Sequence, residues 1–495
     1  MPRKIPLALW PVLPLAYFLY FFRLGGAGLL GPDEPRYAWI GRAMAQSGDW
    51  VTPRLYGAPW FEKPALLYWM IAAGFRAGLG PDVAPRLPVA LLGTAFLFFY
   101  WWILQREFGC RAAWLATLVL GTSVAWMAFS QAAVTDLPLT VTFGAAMLLA
   151  LPWVSKRDAR WLPAASALLG AAVLAKGLVP LALAAPLVLR VRWWRDLLKP
   201  RVVLPFFVVA LPWYLLCYAR NGWPFVEELF VRHHFGRFVS TELQHVQPWW
   251  FYLPRTPALL LPWTPLLVLV VMAGWRREPR RLFLVLWVVL GLVLFSASVN
   301  KLYGYVLPLL PALAALAGIA LDEAEDARGW LAACAALLVA FPVAAPILPA
   351  AIANEWGAAP RLAFDWTWLT PLVAIAGAWL LEARGWRIAA ALVVAAGAGA
   401  GFTYLKVRCE PEMERVSTAR AAAREAATHP GEVCAEPMRR DWQYGLQYYL
   451  GTAIPNCEDN PRPFHVLQRP GRAPGVERAG AGTGTASGAA TVDPH

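Results

Sequence analysis

Long apolar runs separated by short polar segments recur along almost the whole chain. A membrane-crossing helix needs about 20 apolar residues. Runs of roughly that length fall near 6–24, 83–104, 112–129, 134–154, 162–175, 177–189, 202–219, 256–274, 282–298, 304–321, 330–352, 366–382 and 388–405. The pattern predicts an all-α polytopic membrane protein with about 13 transmembrane helices. The two runs flanking Lys176 are short for spans, and read as two short helices or a re-entrant hairpin. The first run follows Arg3 and Lys4 and no small-x-small site closes it, so a retained span is expected rather than a cleaved signal peptide.

Basic residues set the expected orientation. QREFGCR (105–111), KRDAR (156–160), RVRWWRDLLKPR (190–201), WRREPRR (275–281) and EARGWR (382–387) alternate with loops poor in Lys and Arg, and such basic loops are cytoplasmic. The acidic loop DEAEDAR (322–328) breaks the alternation, but acidic residues carry little weight in this rule. Residues 1–405 then form a transmembrane domain with long external loops at 25–82 and 220–255. Apolar positions at helical spacing in the Pro-, Trp- and Tyr-rich 25–82 loop predict helices lying along the membrane interface. In the external tail, 413–429 and QYGLQYYLG read as helices, EVCAEPM and PFHVLQR as strands. A small α/β domain is expected over 406–469, then a disordered Gly/Ala/Ser/Thr/Pro-rich end, 470–495.

Composition agrees: 59% hydrophobic and 15% charged residues exclude a soluble globular protein. A net charge of +13 would suggest nucleic acid in a soluble protein, but here the basic residues fall mainly in cytoplasmic loops, so no nucleic-acid partner is expected. The six cysteines show no CxxC or metal-ligand spacing. Cys110, Cys217 and Cys334 accompany apolar runs as packing residues. Of Cys409, Cys434 and Cys457 in the exported tail, Cys434 with Cys457 is the preferred disulfide.

The remaining ionisable residues converge on the external side. Asp33, Glu34 and Arg36 stand in GPDEPRYAWI, Glu62 and Lys63 in PWFEKPALLYW, Asp136 in AVTDLPL and Lys176 in LAKGLVP. His233, His234 and Arg237 stand in VRHHFGRF, Lys301 in NKLYGY. Each has an ordinary explanation: Asp33 with Arg36 as a helix cap and ion pair, Glu62–Lys63 as a wet turn, Asp136 as an N-cap, the histidines as a solvated loop pair. Those explanations do not account for the shared level and side. A charge at membrane depth costs about 2.5–3.5 kcal/mol even on the lenient scale. Together the residues suit a phosphate-linked sugar on an isoprenoid carrier: Lys and Arg on phosphate oxygens, carboxylates orienting or deprotonating an acceptor, and a carboxylate with a histidine on a divalent metal.

In order, DEPRYA, FEKPALLYW, TDLPL, AKG, HHFGRF, PWWFYLP with LPW, and KLYGYVLPLLPALA resemble the GT-C membrane glycosyltransferases that use polyprenyl-phosphate sugars. These are the bacterial lipid A aminoarabinose transferases and, more distantly, the protein O-mannosyltransferases. The resemblance covers about residues 1–320; each motif alone is weak, their succession is specific. It implies that Asp33 is the first-loop catalytic aspartate and Asp136 the second catalytic acid. Arg36, Lys63, Lys176, Arg237, Lys301 and Tyr305 then bind substrate, while Glu62 and His234 would hold a divalent metal, Zn or Mg/Mn. It further implies an inverting transfer from undecaprenyl phosphate at the periplasmic face of a bacterial inner membrane, by a monomer. The first expectation is 4-amino-4-deoxy-L-arabinose to lipid A; the alternative is a neutral sugar such as mannose to a protein, glycan or lipid. The chain departs from the O-mannosyltransferases in having no large acceptor-binding domain between spans. A lipid or glycan transporter, the alternative of another class, predicts ionisable residues at mid-membrane depth and is disfavoured by their clustering on one side.

Overall fold

The computed structural model describes residues 12–189, 193–236, 246–274, 278–353, 362–469 and 473–479. Among them, seven helices are long and apolar enough to cross a membrane: Leu87–Phe108, Asp136–Lys156, Pro200–Asn221, Pro279–Ala297, Tyr303–Glu323, Arg328–Pro349 and Arg387–Ser417. Asp136–Lys156 and Tyr303–Glu323 are enclosed by protein nearly all round, so they form the centre of the bundle. Pro200–Asn221 instead presents Leu204, Phe207, Val208 and Leu215 outward, as a lipid-facing helix does. Small residues bring the inner helices close. A Cβ at Gly318 would strike the backbone of Ala116, so Leu310–Glu323 lies directly against Cys110–Gly121.

Several apolar runs that read as single spans are broken. The 112–129 run is two helices, Cys110–Gly121 and Val124–Phe129, and the 256–274 run is Tyr252–Leu259 and Leu266–Met272. Pro262 and Pro265 lack the N–H a continuous helix needs. The two breaks face each other: the Val124 N–H donates to Leu261 O at 2.8 Å, and Trp263 Nε1 to Thr122 Oγ1 at 2.9 Å. Interrupted backbone inside a membrane survives where protein satisfies its polar groups in this way. Beyond Lys176, Gly177 adopts a positive φ of 74° and two short helices follow, Val179–Leu183 and Pro186–Leu189.

The 25–82 loop holds helices, as expected; there are two, Asp33–Ser47 and Leu66–Arg76, joined through a short hairpin that pairs Arg54 with Pro59. Adjacent acids here have different fates. Glu34 is buried and bonded twice to Arg86, Oε1 to Nε at 3.0 Å and Oε2 to Nη2 at 2.7 Å. The same guanidinium donates to the carbonyls of Leu24, Ala27 and Gly28, while Glu34 accepts the N–H groups of Leu30 and Ala133. Burial by itself raises the Glu34 carboxyl, but Arg86 and these N–H groups hold it below the usual range.

After Arg387–Ser417 the chain forms the small α/β unit: helices Arg420–Ala426 and Arg440–Leu450, with strand Phe464–Leu467 central between Val433–Ala435, parallel, and Gly475–Arg478, antiparallel. Two expectations are corrected. The helix read over 413–429 breaks at Thr418, which leaves the helix in extended geometry. The sheet also reaches past residue 469 into the segment expected to be disordered, because Val476 packs on the same core as Val466. Residues 480–495 lie outside the described ones. Cys434 and Cys457 form the disulfide, and Cys409 is a free thiol.

Replacing Arg86 by Leu strands the Glu34 charge in the interior and is expected to destabilise the folded state by about 3–5 kcal/mol. Thermal unfolding in lipid nanodiscs checks this; the double change Glu34→Leu with Arg86→Leu should recover part of the loss.

Candidate active site

Seven of the residues singled out in the sequence, Asp33, Arg36, Glu62, Lys63, Asp136, Lys176 and Tyr305, fall into two groups at one end of the bundle. In the first, Asp33 and Arg36 share the opening turns of the interfacial helix, one turn apart, and are hydrogen-bonded. Asp33 is the first helical residue and caps nothing; Pro32 stands at the N-cap. The other side of the guanidinium meets Glu62, Nη1 to Oε2 at 2.9 Å, and the second oxygen of Glu62 accepts Lys63 Nζ at 2.8 Å. Arg36 therefore bridges two carboxylates that are 29 positions apart in the chain (62 − 33). Glu62, Lys63 and most of Arg36 are enclosed, whereas the Asp33 side chain is 43% exposed. Of the two acids, Asp33 is the one open at the surface.

Aromatic rings wall this group. The guanidinium carbon of Arg36 lies 5.2 Å from the Tyr37 ring, 5.5 Å from Trp60 and 5.7 Å from Tyr444. Tyr68 is fully buried beside Tyr37, and burial pushes both phenols up, so they remain donors. Tyr68 Oη, Tyr56 Oη, Trp60 Nε1 and Arg36 Nε have no hydrogen-bond partner among the described residues. Buried donors left open side by side are uncommon, and they fit a site whose oxygen atoms arrive with a ligand.

In the second group, Asp136 opens its helix without capping it and instead accepts Lys176 Nζ at 2.6 Å. The ammonium also lies 4.7 Å from the Tyr305 ring centroid. Gly304 makes this possible, since a Cβ there would strike the Asp136 carboxylate. The groups are tied together by two contacts. Glu34 holds the Ala133 N–H three residues before Asp136, and Phe61 and Ala65, flanking Glu62–Lys63, pack in one cluster with Leu174 near Lys176.

Lys301 is buried in a different role. Its ammonium donates to Ser298 O and to Gln247 O, the latter at 2.9 Å, tying the 246–255 segment to the 298–302 turn. Burial holds it below the usual lysine range. His234 lies in the π-helical segment Glu227–Gly236, with its side chain outside the described residues, and Arg237 lies outside them altogether. Both Glu62 oxygens are held by cations, and among the described residues the only three-ligand grouping is Cys434, Cys457 and His465, whose cysteines form the disulfide. Among the described residues no group of three metal-ligating side chains includes Glu62, and the His234 side chain, the other expected ligand, lies outside them.

Two cations escape notice in the sequence. Arg86 looks like a basic flank of a span but is the partner of Glu34. Arg255 lies over Phe251 at 3.8 Å and Tyr303 at 5.4 Å, donates to Phe251 O, and makes no ion pair among the described residues. The available signal was positional: both stand at the end of the bundle where the positive-inside bias disfavours them.

In sequence and fold the chain is similar to known membrane glycosyltransferases. Residues 12–223 match the dolichyl-phosphate-mannose-protein mannosyltransferase family. The chain is similar to an undecaprenyl phosphate-alpha-4-amino-4-deoxy-L-arabinose arabinosyl transferase of Pseudomonas paraeruginosa, 37% identical over 335 residues, 63% of this chain and 60% of that protein. Its counterpart in Pseudomonas aeruginosa is 36% identical over 334 residues, with the same coverage. The chain therefore spans about 60% of the length of these curated relatives. The crystal structure of ArnT from Cupriavidus metallidurans bound to undecaprenyl phosphate is 26% identical, with a TM-score of 0.78 over 94% of this chain and 97% of that one. The arabinosyltransferase EmbB of Mycobacterium smegmatis, 13% identical with a TM-score of 0.52 over 91% of this chain and 44% of that one, shares the fold.

Arg36→Lys keeps the charge but removes the planar fork that spans Asp33 and Glu62. It is expected to cost about 1.5–3 kcal/mol, the range for a hydrogen bond to a charged group, read as a lowered unfolding midpoint.

Proposed function

We propose that the chain transfers a sugar from undecaprenyl (polyprenyl) phosphate to an acceptor at the periplasmic face of the inner membrane, with 4-amino-4-deoxy-L-arabinose and lipid A as the pair its relatives' names favour. The observation that carries this is the placement of Asp33–Arg36–Glu62–Lys63 and Asp136–Lys176–Tyr305 at one end of an apolar bundle. An isoprenoid tail needs the apolar surface and its phosphate needs the cations. In the reaction an acceptor oxygen forms a bond to the anomeric carbon while the bond from that carbon to the donor phosphate breaks. The electron pair leaves with polyprenyl phosphate, and the acceptor's proton goes to a base or to solvent.

Phosphate is a good leaving group, so positioning and charge neutralisation do most of the work. Lys63 and Lys176 lie in the two charged groups, and Arg255, without a carboxylate partner among the described residues, is available to a phosphate oxygen. Asp33, the exposed acid, would orient a lipid A phosphate, or act as general base if the acceptor is a hydroxyl. Lys176 and Asp136 hold each other in place and are drawn as the second charged wall. The match of residues 12–223 to the mannosyltransferase family supports the second reading, a neutral sugar such as mannose passed to a protein or other acceptor.

Lipid A from cells with and without the protein should differ by one added amino sugar in its mass spectrum; unchanged lipid A excludes that acceptor. Asp33→Asn is expected to lower transfer about 10²–10⁴-fold, and full retention of activity would remove Asp33 from the mechanism. Because Glu62 is already neutralised by Arg36 and Lys63, transfer should survive EDTA; loss of transfer restored by Zn or Mg would establish a metal requirement, with Glu62 and His234 as the residues that would hold it.

A further inference from the structure

The C-terminal unit has a core of its own, yet two rings of one of its helices pack on the other domain. Helix Arg440–Leu450 places Trp442 and Leu446, one turn apart, in the small core with Ala419, Ala422 and Val466. Tyr444 and Tyr448, also one turn apart, point to the opposite face. Tyr448 is fully buried against Leu29 and Ala38 of the first external loop, while Tyr444 packs on the transmembrane core. Tyr444 stacks on Tyr56, with ring centroids 6.4 Å apart and planes 23° apart, and its face lies 5.7 Å from the Arg36 guanidinium carbon. With Tyr37 and Trp60 it is the third ring around that cation, and the one not supplied by the first loop.

The docking that delivers this ring is polar and extensive. Arg420 joins Asp82 at 2.9 Å and Glu414 at 2.6 Å, and its guanidinium donates to the carbonyls of Gly25 and Gly26. Glu414 accepts the Gly28 N–H at 2.8 Å. Tyr449 Oη donates to Asp82 at 2.6 Å while accepting the Leu29 N–H at 2.7 Å, and Tyr448 Oη donates to Pro81 O at 2.7 Å. These contacts fix the strand of chain that leads into Asp33. The open donors Tyr56 Oη, Trp60 Nε1 and Arg36 Nε lie in the same cage, a second indication that it borders the ligand.

We propose that Tyr444 is a positioning residue for the reaction: the C-terminal domain supplies the ring that holds the Arg36 guanidinium in the plane from which it orients Asp33 and Glu62. The kinetic part of this inference rests on the transfer reaction proposed above; the contact itself does not. Full-length protein in nanodiscs is compared as wild type, Tyr444→Phe, Tyr444→Leu and Tyr444→Ala. Phe keeps the ring and should stay within about twofold of wild type. Leu keeps bulk without the π-face and, like Ala, should lose roughly 10- to 30-fold in kcat with a smaller change in KM, the size that a desolvated cation–π contact allows. Leu performing as well as Phe would overturn the proposal, since a space-filling role alone predicts that result. A thermal-unfolding cycle of Tyr444→Leu with Arg36→Lys needs no substrate. Non-additive midpoints support the contact even if wild type proves inactive toward the chosen donor, and additive midpoints overturn the proposal whatever the substrate.

Discussion

The charged end of this molecule depends on one buried ion pair. Glu34 and Arg86 lock together, and their remaining hydrogen-bonding capacity is spent on the carbonyls of the Leu24–Gly28 turn segment and on the Leu30 and Ala133 N–H groups. One carboxylate and one guanidinium thereby fix the approach to the Asp33 helix, the start of the Leu87–Phe108 span and the turn before Asp136. Buried charges persist when each is paired and its other valences are filled, and here nearly every one is. With that frame set, Asp33 can be left partly exposed and Arg36 can be shared between two acids.

The division of labour between the adjacent acids follows from helix geometry. Neighbouring residues on a helix point about 100° apart, a spacing set by 3.6 residues per turn. If Glu34 turns inward to Arg86, Asp33 is turned toward the open edge, one turn from Arg36. A pair of acids that looks redundant in the sequence is a buried strut and an exposed group beside Arg36.

Much of this was legible from residue pattern. Apolar runs gave the membrane class, helical spacing gave the interfacial helices, and turn and strand signals gave most of the C-terminal unit, including the Cys434–Cys457 bridge. The clustering of Asp33, Glu62, Lys63, Asp136 and Lys176 at one end was also expected, and the two charged groups bring them into pairs. What was not legible depends on partners far along the chain. Arg86 resembles any basic residue flanking a span until Glu34 is seen 52 positions earlier (86 − 34). Lys301 carries a charge like the others, but the carbonyls it holds are invisible to a reading of side chains. The breaks near Ser123 and Pro262 stabilise each other, so neither announces itself from local hydropathy. Tyr444 looks like one more ring of an amphipathic helix until its face is known.

The central claim is transfer of a sugar from a polyprenyl phosphate carrier. Its most direct test is a reconstituted reaction: purified full-length protein in nanodiscs, a synthetic polyprenyl-phosphate-linked aminoarabinose, and lipid A, followed by mass spectrometry of both lipids. The account predicts that lipid A gains one aminoarabinose for each polyprenyl phosphate released. Donor and acceptor both left intact by folded, lipid-embedded protein would contradict it.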